Sequence, residues 1–184
     1  MSELKTLVLG TFEIESGKMI VSDPCYEIDL WCCNTIERVR CGTWLAEAAV
    51  RDEGEWGSRI AVLRAQTIMQ PTTLPDPEAA PFEVGVDSAQ AGLFDALHYR
   101  NSNMIRRLTG VESDDPDLWY THCCEITLSR LQAGVIPYGA VSSSGYGDGA
   151  YECRIYRDQA GEAFRVEIIF IGEEDEEWDE DEES

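Results

Sequence analysis

Apolar and polar positions alternate along most of this chain, the two-residue period of strands half-buried in a sheet. Thr6–Ile14 (TLVLGTFEI) and Lys18–Ser22 (KMIVS) place strand formers on either side of Ser16-Gly17, so a first hairpin is expected there. Asp23-Pro24 stops it, because proline cannot continue a central ladder. Tyr26–Asn34 (YEIDLWCCN) has no assignable pattern, and Thr35–Arg40 suggests another strand. Gly42–Val50 and Trp56–Ala65 flank the turn residues Asp52-Glu53-Gly54 as a second hairpin; the Ala, Leu and Glu of Trp44–Val50 leave a helix open as the alternative. Gln70–Pro81 contains four prolines and reads as a stiff surface connection, followed by a short strand at Phe82–Val86.

The period then changes. Asp87-Ser88-Ala89-Gln90 has the form of a capping box, with Asp at the N-cap and Gln three residues on. A helix is therefore expected over Ala89–Arg100, with Leu93, Phe94 and Leu97 on one face, and Asn103–Leu108 adds a helical turn ended by Gly110. Asp115-Pro116 starts another helix, with Leu118, Trp119, His122, Cys123 and Ile126 as its apolar stripe. Beyond Gly134, the strand-like Val135, Ile136 and Tyr138 lead into Val141–Tyr151 (VSSSGYGDGAY), where Asp148-Gly149 signals a hairpin centred on Gly147. A turn at Asp158–Gly161 feeds a last strand, Ala163–Ile171, whose apolar end suits a central position. The expected fold class is α+β: a β-rich antiparallel body with a helical insertion in the middle, forming one globular domain over residues 1–172.

Charge changes the picture more than composition does. The net charge of the 184 residues is −22, and ten of the acidic residues lie between Glu173 and Glu183 with no basic one among them. Residues 173–184 are expected to be a disordered acidic tail, and the body alone still carries −22 + 10 = −12. Such a surface repels nucleic-acid backbones and anionic membranes and favours a basic protein as partner. No stretch is apolar enough to span a bilayer, and no leader segment is recognisable, so a cytoplasmic location is expected. Seven cysteines, an odd number without a C-x-x-C pair, fit free thiols in a reducing compartment; no metal and no cofactor is expected.

Candidate chemistry gathers at strand ends, where sites are built. Asp23, Asp87 and Asp148, with Ser88, Gln90, Ser143, Ser144 and Tyr146, would line a polar cleft if their loops converge. Hard cations favour such oxygens. Equally, Asp87 can cap a helix, Asp148 make a turn and Asp23 precede a proline. Neither Ser88 nor Ser144 lies in a G-x-S-x-G elbow, and His98 and His122 are the only imidazoles. SSSGYGDG could cradle an anion with its amides, but it lacks the lysine of a phosphate loop. In the tail, Trp178 is the single apolar side chain and a candidate partner contact.

Four segments, VSDPCY (Val21–Tyr26), WG (Trp56-Gly57), VGVDSAQAG (Val84–Gly92) and SSSGYGDGAY (Ser142–Tyr151), resemble the domain of unknown function 4241 family of bacterial and phage proteins. The resemblance runs from about Gly10 to Ile171, with Ala89 where that family more often has glycine. It implies a shared fold and names no activity. Two function classes follow from the residues. One is an interaction protein acting through its acidic surface on a basic or nucleic-acid-binding partner. The other is a small-ligand or divalent-metal-dependent enzyme at the Asp87 and Ser143–Asp148 loops.

Overall fold

The computed structural model describes residues 3–173; the expectations for the tail from 174 onward, Trp178 included, lie outside the described residues. In chain order the strands are β1 (Leu4–Ile14), β2 (Met19–Ser22), β3 (Asn34–Ile36), β4 (Gly42–Asp52), β5 (Ser58–Thr67), β6 (Glu78–Val86) and β7 (Gln90–Asp95). Two helices follow, α1 (Ser102–Thr109) and α2 (Leu118–Thr127), and then β8 (Ala133–Ile136), β9 (Gly139–Ser143), β10 (Gly149–Arg157) and β11 (Ala163–Ile169). The α+β class, the antiparallel β-rich body and the central helical insertion are all present.

Six strands form one sheet in the order β1-β4-β5-β11-β10-β6, and five form the second in the order β3-β2-β7-β9-β8. Between them lies the main core: Phe12, Trp44, Leu63, Val84, Ile155, Val166 and Ile168 from the larger sheet meet Met19, Val21, Leu93 and Ala140 from the smaller. A second core covers the other face of the smaller sheet. There Ile20, Phe94, Ile136 and Val141 pack under Met104, Ile105, Leu118, Trp119 and Cys123 of the helices, with Phe94, Tyr99 and Trp119 in mutual ring contact.

This layering explains where the sequence pattern misled. Gln90–Asp95 is a strand rather than the start of a helix, and all six of its residues are buried. A strand covered on both faces shows a continuous apolar run, which also contains the spacing of a helix face. Gly92 is what the strand needs: a Cβ there would lie 2.5 Å from the Ala140 carbonyl oxygen and 2.3 Å from the Phe94 ring. Ala89 has φ of 57°, which no helical first turn can contain. The helical turn instead begins at Ser102, capped by Asn101, whose side chain accepts from the Met104 N–H at 3.0 Å.

The two outer hairpin expectations fail for a common reason. β1 pairs with β4 and β2 with β7, so Glu15–Lys18 crosses from one sheet to the other. Likewise β9 pairs with β7 and β8, while β10 pairs with β6 and β11, so the glycine-rich run around Gly147 is also an inter-sheet crossing. The β4–β5 hairpin is as expected, so Trp44–Val50 is strand, not helix. Strand structure begins at Glu78, four residues before the expected start, and Pro81 is tolerated there because β6 is an edge strand.

Candidate functional site

Four chain crossings tie the sheets together, and a fully buried aspartate stands at each end of the smaller sheet. At the first end, β2 finishes at Ser22, β7 begins at Gln90 and β9 finishes at Ser143, with Ser22 opposite Gly92 and Gln90 opposite Ser143. The β6–β7 crossing (87–89) and the β9–β10 crossing (144–148) therefore meet there. Asp23, with no exposed surface, is the hub. Its Oδ2 accepts the Asp87 and Ser88 amides at 2.9 and 2.7 Å, and its Oδ1 accepts the Cys25 amide at 2.9 Å and the Ser88 hydroxyl at 2.6 Å.

The second crossing is stitched to the first. The Ala89 amide donates to Asp148 Oδ1 at 3.0 Å, and the Ser144 amide donates to the Ala89 carbonyl at 3.2 Å. Within the turn the Ser144 hydroxyl and the Gly147 amide close on each other's backbone, and the Tyr151 hydroxyl donates to the carbonyls of Ser144 and Gly147. Gly145 and Gly147 adopt φ of 62° and 113°, which explains their places in the run. Asp87 accepts the Tyr26 hydroxyl.

So Asp23, Asp87, Ser88, Ser144 and Asp148 do come together. The other candidates are engaged elsewhere. Gln90 accepts from the Thr127 hydroxyl at 3.1 Å and donates to Cys124 Sγ at 3.3 Å, and so holds α2 to the sheet. The Ser143 hydroxyl donates to Gln132 Oε1 at 3.0 Å. Tyr146 is exposed, with its ring 5.3 Å from the Arg59 guanidinium.

A carboxylate that accepts four hydrogen bonds has little left for a ligand. Nor does the cluster hold a nucleophile. Burial, with a hydrogen bond to Asp23 and its charge in support, pushes the Cys25 thiol up to about 12. Burial also raises Cys33 and Cys123. At neutral pH these remain thiols, the unreactive form. The Asp87 and Asp148 carboxylates are exposed and each keeps unused acceptor sites, so they are the atoms of this cluster able to meet a cation.

The opposite end holds a constellation that strand patterning gave no reason to assemble. Asp95, also without exposed surface, accepts the Glu15 amide at 2.7 Å, the Leu97 amide at 3.1 Å, and the Ser16 amide and hydroxyl. It fastens the β1–β2 crossing as Asp23 fastens the β6–β7 crossing. Beside it, Glu15 Oε2 meets His98 Nε2 at 2.9 Å, and the imidazole stacks on Tyr138 at 3.7 Å. That hydrogen bond holds the Glu15 carboxyl below the usual range, against the smaller opposing effect of burial. Glu15, Asp95 and His98 offer three possible metal-ligand atoms within 4.8 Å of one another. A cation there would have to break the Glu15–His98 pair and share an aspartate already bonded to four donors. Only His98 drew notice in the sequence, as an imidazole; Glu15 comes from a crossing mistaken for a hairpin and Asp95 from a strand mistaken for a helix.

All seven cysteines are free, as their number and spacing suggested. No helix among the described residues is long and apolar enough to cross a membrane. No family model matches the chain, and no curated protein or solved structure matches it.

Proposed function

We propose that this is a non-catalytic, cytoplasmic interaction protein whose acidic surface engages a basic protein, including one that itself binds nucleic acid. One observation carries this reading: most of the arginines are already engaged by carboxylates or carbonyls of this chain. Arg40, Arg51, Arg64, Arg154, Arg157 and Arg165 pair with Asp158, Glu53, Glu47, Glu152, Glu78 and Glu167. Arg38, Arg100 and Arg106 donate to backbone carbonyls. With 36 acidic residues against 14 basic ones, carboxylates outnumber cations by 22. Their field attracts a cationic surface from beyond contact distance.

The competing enzyme reading would use the exposed Asp87 and Asp148 carboxylates with a cation or polar ligand. The saturated hub at Asp23 and the raised thiols argue against it, since they leave the cluster two exposed carboxylates and no activated nucleophile beside them. Kinship with the domain of unknown function 4241 family belongs to the same proposal and rests on the four segments quoted above.

The test is capture of partners by the full chain from its native cells at about 0.1 M and 0.5 M salt, followed by identification of what is retained. A basic protein held at the lower salt and released at the higher one is expected, because exposed charge pairs are screened within about one Debye length, 10 Å at 0.1 M and less at higher salt. Retention of neutral or acidic proteins alone, indifferent to salt, would overturn the reading.

A further inference from the structure

The loop between β2 and β3 protrudes with five consecutive exposed residues, Glu27, Ile28, Asp29, Leu30 and Trp31. Trp31 is 91% exposed, more than any other large apolar residue among the described residues, with Ile28 at 49% and Leu30 at 47%. Leaving an indole in water forgoes about 1.5–3 kcal/mol available from burying a large side chain. A lone exposed leucine needs no explanation, but three apolar residues in four positions at the crest of one loop do.

The loop is fixed at both feet. Tyr26 donates its hydroxyl to Asp87, the Tyr99 hydroxyl donates to the Tyr26 carbonyl at 2.7 Å, and Arg100 donates to the Pro24 carbonyl. On the far side Cys32 is buried, and the Asn34 amide donates to the carbonyls of Cys32 and Glu83 at 3.2 and 3.3 Å. Between the feet, the Leu30 and Cys33 amides donate to the Glu27 and Leu30 carbonyls at 3.4 and 3.0 Å, closing two successive turns. The crest is thus displayed on a rigid frame, which lowers the ordering cost of binding. The hydrogen-bonded hub around Asp23 and Asp87 is part of that frame.

We propose that this loop is the docking element for the basic partner, with Trp31 as its anchor and Leu30 and Ile28 beside it. The partner presents an apolar face bordered by lysine or arginine. Charge complementarity selects that occupant. Glu27 and Asp29 alternate with the apolar residues, Tyr26–Cys33 contains no basic residue, and the adjoining β6 edge and crossing add the exposed Glu83 and Asp87. An aromatic anchor within a ring of charge is the arrangement in which a few residues carry most of the binding energy. This inference rests on the interaction reading above, and the experiment separates the two.

The probe is a pair of 20-residue amphipathic helical peptides, one of Lys and Leu, the other of Glu and Leu, titrated into full-length protein labelled with 5-fluorotryptophan. Its five tryptophans give separate fluorine resonances, with the buried Trp44 and Trp119 as internal controls. With the Lys/Leu peptide the Trp31 resonance is expected to move first. Trp31→Ala is expected to weaken binding at least tenfold, and Glu27→Gln with Asp29→Asn to weaken it less at high salt than at low. Binding of the Lys/Leu peptide with Trp31 silent and Trp31→Ala unchanged overturns the docking loop while leaving the acidic-surface reading. Equal binding of both peptides, or of neither, overturns both.

Discussion

Replacing Asp23 by Asn tests most sharply whether the converging aspartates are framework. Asparagine keeps the shape and volume but turns one acceptor oxygen into an NH2 donor. With the NH2 at the Oδ2 position the Asp87 and Ser88 amides face a donor; with it at Oδ1 only the Cys25 amide does, because the Ser88 hydroxyl can turn and accept. The second orientation is the cheaper and leaves one buried donor unsatisfied, at a cost of about 1–3 kcal/mol. For a chain of this size about 2 kcal/mol corresponds to a Tm lower by about 4–8 °C. Asp87→Asn is the control, because that carboxylate is exposed and accepts one hydroxyl; its loss is expected to cost under about 1 kcal/mol. Thermal melts by circular dichroism, with urea midpoints as a second measure, decide. If Asp23→Asn melts within about 2 °C of the wild type, the hub is not holding the crossings, and its carboxylate is kept for something other than stability. Should the variant fail to fold, Ser88→Ala removes a single donor and is expected to lower Tm by a few degrees.

Gly92→Ala is expected to destabilise by about 1–3 kcal/mol or more in urea, because its Cβ would meet the Ala140 carbonyl oxygen at 2.5 Å. The Cys25 thiol, raised to about 12, is expected to react with iodoacetamide at pH 8 about 50-fold more slowly than free cysteine, its scarce thiolate partly offset by greater nucleophilicity; peptide mass mapping over time checks this. Because His98 depresses the Glu15 carboxyl, the pair contributes stability above the ordinary glutamate range and loses it as pH falls through the depressed value. In His98→Ala, NMR should accordingly show Glu15 titrating at higher pH than in the wild type. Deleting Glu173–Ser184, which moves the charge from −22 to −12, should leave Tm unchanged or slightly higher, since it removes ten like charges and their self-repulsion.

Much of the local structure was legible because it is decided locally. The β4–β5 hairpin has its turn residues in sequence, and α2 buries Leu118, Trp119 and Cys123 of the stripe that its 3.6-residue period marks. The meeting of the Asp87–Ala89 crossing with the Ser144–Asp148 turn was legible too, since both are polar breaks between apolar strands. Pairing was not. A turn such as Ser16-Gly17 looks the same whether the next strand returns to its neighbour or passes to a facing sheet, and only long-range contacts decide between them. For β7, burial on both faces erased the alternation that separates strand from helix. The residue on which the proposed docking rests, the exposed Trp31, lay in a segment without any period. Its sequence shows an aromatic residue among acids, but not that both feet are pinned and the ring left in water.

The central claim is that the unneutralised carboxylates of this fold exist to meet a basic partner. The most direct measurement is the Kd of the purified full chain for its recovered partner between about 50 and 500 mM salt. The expected result is a Kd that rises at least tenfold over that range, with a residual affinity at high salt that disappears in Trp31→Ala. A Kd independent of salt, or a partner whose affinity is untouched by both screening and the loss of the indole, would contradict it.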